Sequence, residues 1–333
     1  MIKDRHMELV CPAGTPATLR AAVQAGADAV YCGFRDETNA RNFPGLNFSP
    51  KEMAEGIRFA HDHGSKVLVA INTFARAENP DPWRKAADSA AASGADAIIA
   101  ADIAVLDHMA ASHPQTRLHL SVQAGAATPE AIGFYAEAFG VRRAVLPRVL
   151  SVQEIAALNR AIAVETEAFV FGGLCVMMEG RCHLSSYATG RSPNLNGVCS
   201  PPEAVSYDEV PAGTTARLSG FTIDRYDRGE TAGYPTLCKG RFKAGGKTGY
   251  LFEDPVSLNA GSMIVALREA GVTALKIEGR QRGKGYVTQV VKAFREAVDA
   301  AEQGHDPGEI DSILVGLSEG GRQTTGAYRK TWR

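Results

Sequence analysis

Short apolar runs alternate with helix-like stretches along most of the chain. Two of the runs follow the phrase Gly-Ala-Asp-Ala, at 26–29 and 94–97, where a glycine ends a helix and a short loop leads into a buried strand. Strand and helix alternating in this way, with strands that are apolar throughout, predict a parallel sheet covered by helices. The runs that predict strands are Leu9-Val10, Ala29–Tyr31, Val67–Ile71, Ala97–Ala100, Leu118–Val122, Ala144–Leu146, Phe169–Phe171 and Ala274–Ile277.

Eight strand and helix units favour a closed barrel over an open, doubly wound sheet. The first predicted helix follows residues 11–16, Cys-Pro-Ala-Gly-Thr-Pro, which lack the glycine triplet of a dinucleotide-binding turn. A length of 333 residues also suits one barrel with an insertion. We therefore predict an α/β fold, a (β/α)8 TIM-like barrel.

The repeat is interrupted between the seventh and eighth predicted strands. Residues 175–256 are rich in Gly, Pro, Ser and Asn, which predicts loops and short strands. We assign residues 1–174 and 257–305 to the barrel, including a helix over Leu258–Ala270, and residues 175–256 to an insertion. The polar segment 306–333 is predicted to be a C-terminal tail.

The charge balance excludes no function but disfavours one class. With 36 basic and 37 acidic residues the net charge is −1, so the chain lacks the positive field by which nucleic-acid-binding proteins attract phosphates. There is no run of eighteen apolar residues, and residues 1–6 lack the apolar stretch of a signal peptide. We expect a cytosolic protein.

Four of the six cysteines lie in the predicted insertion, with the spacing C-x6-C-x16-C-x38-C. In a reducing compartment such cysteines favour metal binding over disulfides. Four thiolates suit either a cubane iron-sulfur cluster or a tetrahedral zinc ion, and the wide, irregular spacing favours the cluster while leaving zinc open. The predicted ligands are Cys175, Cys182, Cys199 and Cys238.

Cys175 directly follows the seventh predicted strand, which places the first ligand at the mouth of the barrel where such folds carry out chemistry. We predict that His183 lies beside the cluster and is not a ligand, because four cysteines already fill the positions. Cys11, Cys32 and His119 are predicted to be packing residues.

Residues 167–185, Glu-Ala-Phe-Val-Phe-Gly-Gly-Leu-Cys-Val-Met-Met-Glu-Gly-Arg-Cys-His-Leu-Ser, resemble the signature of the collagenase-like family that was first classed as peptidases. The stretch departs at Gly173, where the family pattern favours Ser or Ala. Further segments are similar in order and spacing to the ubiquinone-hydroxylase branch of that family, at 11–14, 39–41, 70–74, 146–151, 224–226, 234–241 and 276–282.

The resemblance implies an oxygen-independent hydroxylase of the ubiquinone ring. It implies a 4Fe-4S cluster on the four cysteines, a heterodimer with a paralogue, UbiV, and a lipid carrier, UbiT, that presents the hydrophobic precursor. It also implies that prephenate supplies the hydroxyl group. A hydroxylase of RNA bases from the same family is the alternative, which the absence of net basic charge disfavours.

A dicarboxylate donor requires cations at the mouth, and the planar guanidinium group of arginine binds a carboxylate in two places. Arg148 and Arg280 follow strands, and Arg41 follows the second strand by a longer loop. Surface ion pairs are the alternative reading of all three.

Polar residues at strand ends complete the predicted site. Gln123 and Asn72 are candidates to hydrogen-bond the donor, and Glu278 to transfer a proton, unless they belong to a buried network. Asp102 is a weaker candidate that alternatively caps a helix. A peptidase is disfavoured because neither His-Glu-x-x-His nor Gly-x-Ser-x-Gly is present.

Overall fold

The computed structural model describes residues 6–175, 177–307 and 310–329. Its strands are β1 (Glu8–Pro12), β2 (Ala29–Gly33), β3 (Lys66–Ile71), β4 (Ala97–Ala100), β5 (Arg117–Leu120), β6 (Arg143–Val145), β7 (Glu165–Gly173), β8 (Val205–Val210), β9 (Gly213–Leu218), β10 (Phe221–Asp227), β11 (Arg241–Ala244), β12 (Lys247–Tyr250), β13 (Ser257–Asn259), β14 (Ala274–Ile277) and β15 (Gln323–Thr324).

The α-helices lie between and after these strands. They are α1 (Pro16–Gln24), α2 (Pro50–Asp62), α3 (Asp81–Ala92), α4 (Ile103–Ser112), α5 (Pro129–Phe139), α6 (Val152–Ala161), α7 (Leu184–Thr189), α8 (Pro193–Asn196), α9 (Ile264–Glu269), α10 (Lys284–Glu302) and α11 (Ile310–Leu314). Capping boxes begin α2 at Ser49 and α6 at Ser151, where a glutamate three residues later hydrogen-bonds the cap in return.

The barrel closes through β14, which pairs in parallel with both β1 and β7. The other neighbours follow chain order from β1 to β7, all in parallel. The prediction of a (β/α)8 barrel is therefore confirmed, and all eight predicted strands are present. Parallel strands place their carboxyl ends at one mouth, so residues that follow β2, β3, β5, β6, β7 and β14 converge there.

The barrel interior contains both paired charges and packed apolar side chains. Arg143 lies 2.9 Å from Glu8 and 3.4 Å from Glu167, and Lys276 donates to Glu167 at 2.6 Å. A separate buried cluster of mainly small side chains also lies among these strands: Val10, Ala29, Tyr31, Leu68, Ala70, Ala97, Ile99 and Ala274. Paired charges and packed side chains thus fill the interior, which leaves the mouth as its open part.

The insertion leaves and rejoins the barrel at one point. β13 pairs antiparallel with the end of β7, so that Ser257 lies opposite Gly173. Between these two residues the chain forms α7, α8, the antiparallel sheet β10-β9-β8 and the hairpin β11-β12. The final segment covers this junction, because β15 pairs with β13 and the Tyr328 hydroxyl donates to the Phe169 carbonyl at 2.6 Å.

Two local expectations were wrong. The helix predicted over Leu258–Ala270 is shorter, since β13 occupies 257–259 and α9 begins only at Ile264. Pairing of Leu258 with β7 and β15 satisfies backbone groups that a helix would otherwise satisfy. The fifth strand ends at Leu120, because the Ser121 side chain caps a 3-10 turn at 122–124. In the described ranges, no helix combines the length and apolar character needed to cross a membrane.

Candidate functional site

A cavity of about 160 Å³ opens at the mouth of the barrel, between the strand ends and the insertion. Its inner wall is apolar and includes Ile99, Val145 and Phe169. The cavity brings together ten of the residues that the sequence proposed for the site: Arg41, Asn72, Gln123, Arg148, Cys175, Cys182, Cys199, Cys238, Glu278 and Arg280. A mainly apolar pocket with a few converging polar groups is the usual form of a ligand site.

The four insertion cysteines reach the cavity from separate segments, and none forms a disulfide. Cys175 follows β7, Cys182 precedes α7, Cys199 follows α8, and Cys238 lies in a 3-10 turn before β11. Cys175 is exposed, whereas the other three are half-buried. Burial and the neighbouring thiols Cys175 and Cys199 raise the pKa of Cys238 to about 11. Several thiolates here therefore require a cation between them.

The sulfur atoms of the four thiols are not gathered as closely as the ligands of a single zinc ion. Among the described residues, no three of these thiols lie within 4.8 Å of one another. A zinc ion holds its sulfurs about 3.8 Å apart, as follows from a Zn–S bond of about 2.3 Å in a tetrahedron. A cubane cluster separates its thiolates further, because each binds a different iron at its own corner. Four thiols at one cavity have the number and chemistry of donors that a 4Fe-4S cluster requires.

Glu278 connects the eighth barrel strand to the start of the insertion. Its carboxylate accepts from the Gly173 backbone N–H at 3.2 Å and from Arg41 Nε at 3.3 Å. Burial raises the pKa of Glu278, but Arg41 and Arg148 outweigh this effect and hold the pKa below its usual range. Glu278 is thus an ionised carboxylate at neutral pH, able to accept a proton and unable to supply one.

Arg41 also belongs to the junction between the β2 loop and the insertion. Its backbone N–H donates to the Gly197 carbonyl at 2.7 Å, close to Cys199. The residue has a φ of 73°, a left-handed conformation that non-glycine residues adopt only where surrounding contacts hold them. The side chain retains 30% of its exposure, so it can contact a ligand in the cavity.

Arg148 is fixed between an acid and a ring. Its guanidinium group hydrogen-bonds Glu179 and lies 3.6 Å from the centre of the Phe169 ring. Burial lowers the pKa of Arg148, yet Glu179 and Cys175 outweigh it and raise the pKa. Its Nε is buried and has no hydrogen-bond partner among the described residues. One donor of Arg148 therefore lacks an acceptor within the described part of the chain.

Arg280 differs from the other two arginines because only neutral oxygens accept its hydrogen bonds. Nη1 donates to Asn39 Oδ1 at 2.8 Å, and Nη2 donates to the Ala40 carbonyl. The residue is 4% exposed and forms no ion pair with any described carboxylate. Burial lowers its pKa, but arginine stays charged in proteins. Arg280 is thus a buried cation that no described carboxylate contacts, although Glu278 attracts it at longer range, and an anionic ligand would stabilise it.

Asn72 and Gln123 have different surroundings. Asn72 accepts from the Ala40 N–H at 2.9 Å and donates to Ser121 Oγ at 3.3 Å, so it positions the loop that carries Arg41. The Gln123 backbone N–H donates to Ser121 Oγ at 3.2 Å, while its side chain lines the cavity. The network interpretation thus accounts for Asn72, whereas the side chain of Gln123 is placed to meet a ligand.

Gly180 allows the cysteine loop to approach the barrel. Its φ is 74°, and a Cβ there would lie 2.0 Å from the Gln123 carbonyl oxygen. Gly173, the departure from the family signature, is not restricted in this way, because an added Cβ would lie 3.5 Å from Glu278. Serine or alanine would therefore also fit at 173.

The remaining sequence candidates lie outside the cavity. Cys11 and Cys32 are buried in the core, as predicted for packing residues. Asp102 caps α4 by accepting from the Ala104 N–H at 2.8 Å. His119 is buried in β5, and surrounding cations and burial hold its pKa well below the usual range, but its Nδ1 lacks a partner. His183 precedes α7 and is exposed.

The sequence reasoning missed three lining residues, Glu179, Tyr31 and Lys276. Glu179 lies inside the cysteine signature. It could have been identified because an arginine buried at the mouth requires an acidic partner nearby. The Tyr31 hydroxyl donates to the Ile277 carbonyl at 3.0 Å, and the Lys276 ammonium group lies 3.7 Å from the Tyr31 ring centre. Both residues belong to strands, and an apolar run in the sequence does not show which of its side chains point into the barrel.

Comparison with known proteins assigns the family. The model described as "Peptidase family U32" matches residues 14–320. The chain belongs to this family. The resemblance that the cysteine signature indicated is thereby confirmed at the level of the family.

Several curated members of the family act on RNA, according to their names. The chain is 32% identical to "tRNA hydroxylation protein P1" of Bacillus subtilis, over 88% of this chain and 63% of that protein. It is 31% identical to "tRNA hydroxylation protein P" of Escherichia coli, over 94% and 72%. It is 30% identical to "23S rRNA 5-hydroxycytidine C2501 synthase" of Escherichia coli, over 90% and 40%. The chain thus spans less than two thirds of the first and third of these relatives.

Proposed function

We propose that this member of family U32 is the iron-sulfur subunit of an oxygen-independent hydroxylase, and that its substrate is the ubiquinone ring, as for UbiU. The cluster would be a 4Fe-4S cluster held by Cys175, Cys182, Cys199 and Cys238. One observation carries the proposal: four free thiols and three arginines line the same cavity at the mouth of the barrel. Hydroxylation is the activity named for the relatives in tRNA and rRNA.

The cluster would supply electron transfer or Lewis acidity beside the substrate. The residues of the chain would bind and orient the hydroxyl donor, for which we propose prephenate. Arg280 is placed to pair with a donor carboxylate, since its charge has no carboxylate partner among the described residues. Arg148 offers its free Nε, and Arg41 offers its exposed side chain.

Glu278 would take the proton released during hydroxylation, because its lowered pKa keeps it ionised. Its hydrogen bond from Gly173 fixes the carboxylate two residues from the first cysteine. Gln123 would hydrogen-bond a hydroxyl or keto oxygen of the donor, and Asn72 would hold the Arg41 loop in place. The apolar wall that includes Phe169 suits an aromatic ring.

The insertion suits a hydrophobic or protein partner better than a polyanion. Residues 175–256 contain nine Lys or Arg and nine Asp or Glu, so the segment over the mouth is neutral. Its exposed apolar side chains include Tyr187, Phe221 and Phe252. These features support the expected heterodimer with UbiV and delivery of the precursor by the lipid carrier UbiT.

Hydroxylation of an RNA base is the second candidate, and the names of the relatives favour it. The aromatic side chains at the mouth would stack on an extruded base as well as on a quinone ring. Against it stand the neutral insertion and the net charge of −1.

A deletion strain of the source organism, grown without oxygen, distinguishes the two substrates. Mass spectrometry of its quinones and of its digested tRNA and rRNA should show loss of ubiquinone with unchanged RNA nucleosides. Plasmid-borne wild-type protein should restore ubiquinone, and a Cys199→Ala variant should not. Loss of a hydroxylated nucleoside with normal ubiquinone would replace the proposed substrate by RNA.

A further inference from the structure

A cluster of two histidines and one aspartate lies on the outer helices, away from the mouth. Asp88 belongs to α3, His108 to α4, and His113 is the residue that ends α4. Both histidines direct Nε2 to the same oxygen, Asp88 Oδ1, at 2.7 Å each. The three ligand atoms all lie within 4.8 Å of one another. We propose that these residues form a separate site for a late first-row divalent metal ion such as Zn²⁺.

The donor set is one that zinc uses. Imidazole nitrogen and carboxylate oxygen are ordinary ligands of Zn²⁺, and three protein ligands with water at the fourth position are a common arrangement. An aspartate side chain is ordinarily ionised at neutral pH, so its carboxylate can bind a cation.

The geometry requires only a small opening. Ligand atoms about 2.0–2.1 Å from a tetrahedral zinc lie about 3.4 Å from each other, so the two hydrogen-bonded distances of 2.7 Å would each lengthen by about 0.7 Å. The side chains are partly exposed, at 46% for Asp88, 21% for His108 and 29% for His113, so rotation and access of an ion are both possible.

The surroundings indicate moderate affinity and a stabilising role. In the part of the chain that the structure describes, neither histidine has a hydrogen-bond partner for Nδ1. Such partners orient metal-binding imidazoles, and their loss weakens binding by about 10- to 100-fold, so we expect weaker binding than at a site whose histidines have these partners. Because α3 and α4 contribute separate ligands, the ion would join two adjacent helices of the outer layer.

The chain offers a matched control. His61 on α2 forms a single pair with Asp96 at 2.8 Å, with side-chain exposures of 44% and 30%. This pair has the same chemistry and similar exposure, but it lacks the second histidine. A site that depends on three converging ligands should lose zinc with His108→Gln and keep it with His61→Gln.

The test measures zinc bound per chain by equilibrium dialysis under anaerobic conditions, with circular dichroism to verify folding. All variants retain the same cysteines, so differences between them report the triad alone. Wild type and His61→Gln should bind one zinc ion more per chain than His108→Gln and Asp88→Asn. The Asp88→Asn substitution keeps the side-chain volume and removes only the charge. Equal zinc in wild type, His108→Gln and Asp88→Asn would overturn the proposal.

Hydrogen exchange of the wild-type chain gives a second measurement that needs no variant. Zinc should slow amide exchange in peptides covering 81–92 and 103–113, because the ion restrains both helices. Peptides covering α2, with His61, should not change. Unchanged exchange in α3 and α4 at saturating zinc would also overturn the proposal.

Discussion

Replacing Arg280 tests whether the buried cation at the mouth holds the hydroxyl donor. We choose Arg280→Met, which removes the charge and both hydrogen-bond donors while filling much of the same volume. In the wild type, the guanidinium group donates to Asn39 Oδ1 at 2.8 Å and to the Ala40 carbonyl. Both acceptors belong to the loop after β2, which also carries Arg41.

Two effects of opposite sign determine the stability of this variant. Each buried acceptor that loses its donor costs about 1–3 kcal/mol of folding free energy. Methionine also removes a guanidinium group that is 4% exposed and has no ion-pair partner among the described residues, and this removal stabilises the fold in return. The net loss should therefore stay below the sum of the two hydrogen-bond terms, and the protein should fold.

The effect on the donor should be larger. Removing one partner of a buried charge pair costs about 2–5 kcal/mol of binding free energy. That range corresponds to a loss of about 30-fold to several thousand-fold in kcat/KM for the donor. Arg280→Lys should recover little of this loss, because an ammonium group cannot bind a carboxylate in two places.

The assay is anaerobic hydroxylation with isotope-labelled prephenate, together with iron and sulfide content and the melting temperature. Arg35→Met is the matched control, since Arg35 donates to the Asn47 carbonyl of the same loop at 3.0 Å but does not line the cavity. The control should retain wild-type kcat/KM. If Arg280→Met kept its cluster and transferred labelled oxygen at the wild-type rate, Arg280 would have no role in donor binding.

Three further predictions concern the same mouth. Cys238→Ala should lose most iron and sulfide in anaerobic preparations whereas Cys32→Ala keeps them, and equal iron content in the two would remove Cys238 from the ligand set. Glu278→Gln should lower kcat because the site loses its proton acceptor. The KM for the donor should stay the same or fall, because the mouth also loses a negative charge. An unchanged kcat would exclude Glu278 as the proton acceptor. Gly180→Ala should destabilise the cysteine loop by about 1–3 kcal/mol, since an L-residue is strained at this φ, and an unchanged melting temperature and iron content would contradict it.

The barrel could be predicted because most of its strands contain a short apolar run and these runs follow one another at regular intervals. The strand β13 could not, since it has three residues and lies inside a segment with helical periodicity. What decides its conformation is pairing with β7 and β15, partners far away in sequence. Such tertiary pairing overrides local propensity and leaves no local signal.

The sequence predicts which residues meet at the site, but it does not predict which of them pair with each other. Residues that follow parallel strands must meet at one mouth, and this rule alone gathers Arg148, Glu278 and Arg280. The rule does not say which charge pairs with which. Arg41 and Glu278 are 237 positions apart, and the loop conformation that joins them depends on the insertion.

The antiparallel pairing of Gly173 with Ser257 holds the two ends of the insertion side by side, so that the insertion forms a closed loop. Because this pairing brings the two ends together, the pairing of the barrel strands β7 and β14 does not depend on the length of the insertion between them. Lengthening a closed loop costs little, about 0.6 kcal/mol for each doubling of its length. Selection can therefore enlarge, shorten or exchange the segment between the cysteines and alter what the mouth recognises, while the scaffold beneath it keeps folding in the same way.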